Sequence, residues 1–230
     1  MMNKKMAAFF VGGIAVLGAG GYAAFDYYAG NHITVQEVIP SSAVASAQDS
    51  AAPVVAELLN GQWNIKQPDS KVYFSVTTSK ETVNFEASSV AGQWTLDTAD
   101  PGNMQAEATV ALDSLTSGND MRDTHVKEAR FLDAAAFPYA TFALTSFEHF
   151  PTEWVEGKTV SFEMNGTLTM KGISKDVTFA VEALYSGGEI LMEGNTVVTF
   201  ADFGMENPHT VVMETENNVA VQTQLVLEKA

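Results

Sequence analysis

Val160–Val181 reads VSFEMNGTLTMKGISKDVTFAV, and its period decides the fold. Val160, Phe162, Met164, Leu168 and Met170 fall on one parity, with Ser161, Glu163, Asn165, Thr167 and Thr169 on the other. Val177, Phe179 and Val181 then resume the pattern. A period of two means a strand with one apolar and one polar face. The same alternation runs outward in both directions. Val72, Phe74 and Val76 oppose Tyr73, Ser75 and Thr77. Met104, Ala106, Ala108, Val110 and Leu112 alternate with Gln105, Glu107, Thr109 and Ala111, and Val219, Val221, Leu225 and Leu227 close the chain. Turn residues separate the runs at Asp100-Pro101-Gly102-Asn103, Ser186-Gly187-Gly188 and Glu216-Asn217-Asn218. Long strands joined by short turns imply an antiparallel sheet that is wet on one face. About eight or nine such strands leave exposed edges unless the sheet closes, and closure at about eight makes a barrel that can hold one small ligand. The expected fold is therefore all-β, an extended antiparallel eight-stranded barrel.

One stretch breaks the period. Leu115–Phe142, LTSGNDMRDTHVKEARFLDAAAFPYATF, brings Asp120, Arg122, Asp123, His125, Lys127, Glu128, Arg130 and Asp133 in quick succession, then Phe131, Leu132, Phe137 and Pro138. It reads as one short helical excursion from the sheet.

At 230 residues and 46% apolar content, a sizeable core is within reach. The 28 acidic and 12 basic residues give a net charge of -16. That balance argues against nucleic acid, which is bound through clustered Lys and Arg, and against electrostatic docking on anionic head groups. No cysteine is present, so thiol catalysis, disulfides and Cys-ligated zinc are excluded. There is no Gly-x-Ser-x-Gly elbow, phosphate-binding glycine loop or His-Glu-x-x-His, and His32, His125, His149 and His209 are scattered. No enzyme, metal or cofactor is expected.

Lys4 and Lys5 precede 20 uncharged residues, Met6 to Phe25, long enough to cross a membrane as a helix. Lysines before the run and acidic sequence after it place the bulk of the chain outside the cytoplasm. The length favours an uncleaved anchor over a cleaved signal peptide, whose apolar region is shorter. Residues 1–29 are thus read as anchor or signal segment, 30–60 as a flexible linker and 61–230 as the barrel. Within the linker, the small-residue stretch SSAVASAQDSAAP suits a tether.

Several inward candidates are larger and softer than a tight core needs: Phe74, Phe85, Met104, Phe142, Phe162, Met164, Met170, Phe179, Met192 and Phe200. As a set on a closing barrel they suggest a cavity for a long flexible chain.

Three blocks resemble the YceI-like family of polyisoprenoid-binding, lipocalin-like proteins. Thr116, Gly118-Asn119, Arg122-Asp123, His125, Phe131, Asp133, Phe137-Pro138 and Thr141-Phe142 follow the family's long signature. Gly166 to Lys175 is similar to its strand and turn, and Asp202-Phe203-Gly204-Met205 to its late step. Where the family often has Phe-Phe-Asp-Val, this chain has Phe131-Leu132-Asp133-Ala134, trimming apolar bulk. The resemblance, spanning some 165 residues from Trp63, implies an exported barrel that holds a polyprenyl compound, quinone or fatty-acid derivative in a tunnel, with no cofactor beyond that isoprenoid lipid or quinone. Phe131 joins the tunnel candidates. Arg122, Asp123, His125 and Asp133 become a lid, either a polar clasp across the barrel mouth or, through Arg122 or His125, a contact for the ligand's head group. The rival is an exported stress-response or interaction module whose barrel is filled by its own side chains. Oligomeric state stays open. If the clasp reading holds, Arg122→Ala lowers thermal stability and lipid retention; unchanged values for both dismiss it.

Overall fold

The computed structural model describes residues 33–40, 53–208 and 214–230. The apolar run 6–25 and most of the small-residue stretch lie outside them. Among the described residues no helix is long and apolar enough to cross a membrane.

The strands are β1 (Pro53–Val54), β2 (Gly61–Ile65), β3 (Lys71–Thr78), β4 (Thr82–Ala87), β5 (Val90–Leu96), β6 (Gln105–Ala111) and β7 (Leu115–Thr116), followed by β8 (Tyr139–Glu148), β9 (Trp154–Val155), β10 (Thr159–Met170), β11 (Ile173–Ser186), β12 (Glu189–Thr199) and β13 (Thr215–Lys229). The α-helices are α1 (Ala56–Leu59) and α2 (Asp120–Val126), with three short 3₁₀ turns. Eight strands form a closed antiparallel ring in the order β12-β11-β10-β8-β6-β5-β2-β13, sealed by β12 pairing with β13. The alternation in the sequence is the alternation in burial. Along β10, Phe162, Met164, Gly166, Leu168 and Met170 turn inward and are buried.

One strand serves two partners on the same edge. β13 pairs with β2 through Leu227–Lys229 and with β3 through Thr215–Gln224. Between those ladders the chain turns from β2 to β3 at residues 66–70, and Val226 would lose its partners there. Ser70, wholly buried, supplies one: its hydroxyl accepts from the Val226 N–H at 2.9 Å. The Lys66 N–H donates to the Val226 carbonyl at 2.8 Å. From β3 the sheet continues through β4 to β7, the short strand that leads into the excursion.

Residues 33–40, inside the expected linker, cross the outer wall. The Gln36 N–H donates to the Tyr73 hydroxyl at 3.4 Å, Val38 N–H to Gln224 Oε1 at 2.9 Å and Ile39 N–H to Glu193 Oε1 at 2.8 Å. Asn84 Nδ2 donates to the Ile33 carbonyl at 2.9 Å. Four strands, β4, β3, β13 and β12, are bridged in turn. Tyr73 points away from the lumen yet is fully buried, and burial pushes its phenol up to about 12. At the chain's end, Lys229 Nζ donates to the carbonyls of Leu58 and Asn60, both at 2.7 Å, and lies 4.7 Å from the Trp63 ring centre. Burial lowers this lysine's pKa.

The Ser70→Ala variant leaves the buried Val226 N–H without its acceptor. It is expected to lose about 1–3 kcal/mol in urea-unfolding measurements.

Candidate functional site

The lumen holds an apolar cavity of about 50 Å³. Phe74, Trp94, Phe142, Met164, Leu168 and Phe179 are among its walls, drawn from β3, β5, β8, β10 and β11. Phe142 and Phe179 meet edge to face with ring centres 5.5 Å apart. The first ring lies directly on β10: a Cβ at Gly166 would stand 2.3 Å from Phe142 Cζ, so only glycine leaves room for it. A bulge in the β8–β10 ladder at Asn165/Gly166 shifts the pairing so that Phe147 returns toward the core.

Toward the turn between β8 and β9 lies a second cavity of about 10 Å³, bounded by Trp94, Leu96, Phe150, Trp154, Phe162 and Met192 with their neighbours. Phe147, Phe150 and Phe162 interlock with ring centres 5.1–5.6 Å apart, and Trp154 joins them through Phe150 at 6.1 Å. This aromatic stack fills the barrel at that end.

The expected lumen residues divide into groups. Phe74, Phe142, Met164 and Phe179 border the larger cavity; Phe162 and Met192 border the smaller. Phe85, Met104, Met170 and Phe200 are buried in the same core but away from both. Phe85 faces Phe74 across β3–β4. Phe131 departs from the tunnel expectation. It is buried beneath its own segment, 5.0 Å from the His125 ring, with the Arg130 guanidinium 5.0 Å from its ring centre, and it is not part of the continuous core. Phe137 lies partly exposed against Gly172 in the β10–β11 turn. Trp94 is not among the expected lumen residues, although Val90, Trp94 and Leu96 share a parity that marks it as inward.

The excursion is built around Asp123. Asn119 caps α2 by accepting from the Arg122 N–H at 3.1 Å. One turn later Asp123 is buried facing the strand end that leads into the helix. Its Oδ1 accepts from the Ser117 N–H at 2.7 Å and the Ser117 hydroxyl at 2.6 Å, and its Oδ2 from the Thr116 hydroxyl at 2.7 Å. Three hydrogen bonds to one carboxylate are strong because the acceptor is charged. Asp133 works through its backbone. In a left-handed conformation (φ 49°), it donates from its N–H to the Glu128 carbonyl at 2.9 Å, while its carbonyl receives Ala136 and Phe137. His125 is exposed, 3.2 Å from Glu128 and 3.0 Å from Arg130 Nη2. Neither Arg122 nor His125 borders either cavity. The excursion is tied to the rest of the rim through the Glu206 N–H, which donates to the Arg130 carbonyl at 3.2 Å, and the Leu112 N–H, which donates to Pro138 at 2.9 Å.

The YceI-like domain model matches residues 63–227, which covers the ring and the excursion. The chain belongs to the YceI-like family. Among relatives of this YceI-like chain, a UPF0312 protein of Enterobacter sp. (strain 638) and the YceI protein of Salmonella arizonae are each 31% identical over 98 residues, 43% of this chain. The chain spans about half the length of these curated relatives, 47%. The fold is also similar to that of BcnA from Burkholderia cenocepacia, with a TM-score of 0.61 at 20% identity over 70% of this chain and 98% of that one. A polyisoprenoid binding domain from Saccharophagus degradans gives 0.60 at 14% identity, over 73% and 98%. At such identities these two structures speak to the fold.

Asp123→Ala leaves the buried Ser117 donors and the half-buried Thr116 hydroxyl without their acceptor. Thermal and urea unfolding are expected to show a loss of roughly 2–4 kcal/mol.

Proposed function

We propose that this YceI-like chain binds one long-chain amphiphilic lipid, a polyisoprenoid, quinone or fatty-acid derivative, in its barrel without covalent chemistry, and does so outside the cytoplasm. The observation that carries this reading is the larger cavity: an apolar space in the lumen, walled by Phe142, Phe179, Met164 and Leu168. Burial is the available source of affinity there, at about 0.8 kcal/mol per methylene. The kinship of fold with a polyisoprenoid binding domain supports the ligand class. The uncharged run after Lys4 and Lys5 supports export, with the N-terminal segment as membrane tether or signal.

At about 50 Å³ the cavity is far below the ~300 Å³ at which small-molecule sites begin. A bound chain therefore has to displace side chains. Met164 has three rotatable bonds and Leu168 two, so this part of the wall yields most readily. The small volume also favours a second reading, in which the barrel is filled by its own side chains and the protein serves as an interaction or stress-response module.

Native mass spectrometry of the purified full chain, paired with analysis of its organic extract, separates the two. Lipid binding predicts one long-chain species per barrel. A ligand-free mass with no long-chain compound in the extract leaves the self-filled module.

A further inference from the structure

We infer that Trp94 is the stop that sets how long a chain the barrel accepts, an inference that rests on the lipid-binding reading. The two cavities have Trp94 in common and no other residue. They follow one another along the same inner faces. On β10, Met164 borders the larger and Phe162 the smaller; on β13, Leu225 borders the larger and Leu227 the smaller. Each pair is one inward step apart, about 6–7 Å along a strand. The Trp94 ring thus stands across the lumen as a partition between a roomier chamber and a shallow one beneath it.

Nothing but packing holds the partition. The Trp94 indole N–H is buried and has no hydrogen-bond partner among the described residues, and the same is true of Trp154 on the far side of the small cavity. A buried indole usually finds an acceptor that fixes its orientation. Here the ring rests against Phe147, 6.1 Å between centres, and faces a small side chain, Ala106, across the β5–β6 ladder. Removing the indole joins the chambers and extends the lumen by about one inward step, enough for one further isoprene unit.

The test uses farnesol, geranylgeraniol and geranylfarnesol, which carry three, four and five isoprene units, titrated against the full chain by native mass spectrometry. In the unaltered protein, affinity is expected to rise with length and then stop rising at one member. In Trp94→Ala the stop moves at least one unit further, so that the next longer prenol gains about ten-fold in affinity, equivalent to 1.4 kcal/mol. Trp94→Leu, which keeps more of the packing, gives the same displacement if the alanine variant does not fold. Phe162→Leu enlarges the lower chamber beneath an intact partition and leaves the stop in place. An unmoved stop in the folded Trp94 variants, or a wild-type affinity that climbs through the whole series, overturns the role of Trp94 while leaving lipid binding intact. If the unaltered protein binds none of the three, the role of Trp94 as a stop for prenyl chains is overturned, and the lipid-binding reading is decided separately by the co-purified species in the organic extract.

Discussion

Ring closure is the constraint on which everything else depends. β12 and β13 pair from Glu189–Glu228 to Thr199–Asn218, and without that ladder two long strands would each present an open edge. Once the sheet is closed, parity alone decides whether a side chain meets the lumen or water. A single-residue slip would turn Phe162, Met164 and Leu168 outward and bring Glu163 and Asn165 in. The burial of alternate residues along β10 is therefore as much a condition of closure as a consequence of it.

Closure explains why so much of the fold is legible in the sequence. Period-two runs, with glycine- and asparagine-rich breaks, identify most of the ring strands, and the loss of that period within Leu115–Phe142 marks the excursion, although its two ends, Leu115–Thr116 and Tyr139–Phe142, are strand in β7 and β8. Features that depend on distant partners are not legible. Nothing around Ser70 announces that its hydroxyl fills a gap in a ladder formed 156 residues away. Tyr73 has the parity of a solvent-facing residue, yet it is buried, with the Gln36 N–H of the crossing segment on its hydroxyl. Parity likewise puts Trp94 inside but does not say that two cavities meet on its ring. Phe131 shows the opposite limit, since outside the periodic runs an aromatic residue carries no sign of which surface it packs against.

Part of the excursion's polar cluster serves its architecture. Asp123 spends both carboxylate oxygens on Thr116 and Ser117, Asn119 caps the helix, and Asp133 supplies a reversal of the chain. The exposed group of His125, Glu128 and Arg130 lies over Phe131 on the outer side of the segment. A polar cluster in a barrel protein can thus be the means of fastening a non-strand segment to a strand end. The lumen beneath it remains a matter of shape and apolar surface, and the positions that matter there are large, soft or, at Gly166, absent side chains.

The segment at residues 33–40 has a mechanical consequence. Its backbone is held by side chains of four successive strands, so it lies across the staves like a hoop rather than alongside one of them. Tension applied upstream of Ile33 is shared among those attachments in shear. It reaches the barrel through its wall before it reaches the end of any strand. A load on residues 33–40 therefore falls on a closed ring rather than on the free end of one strand.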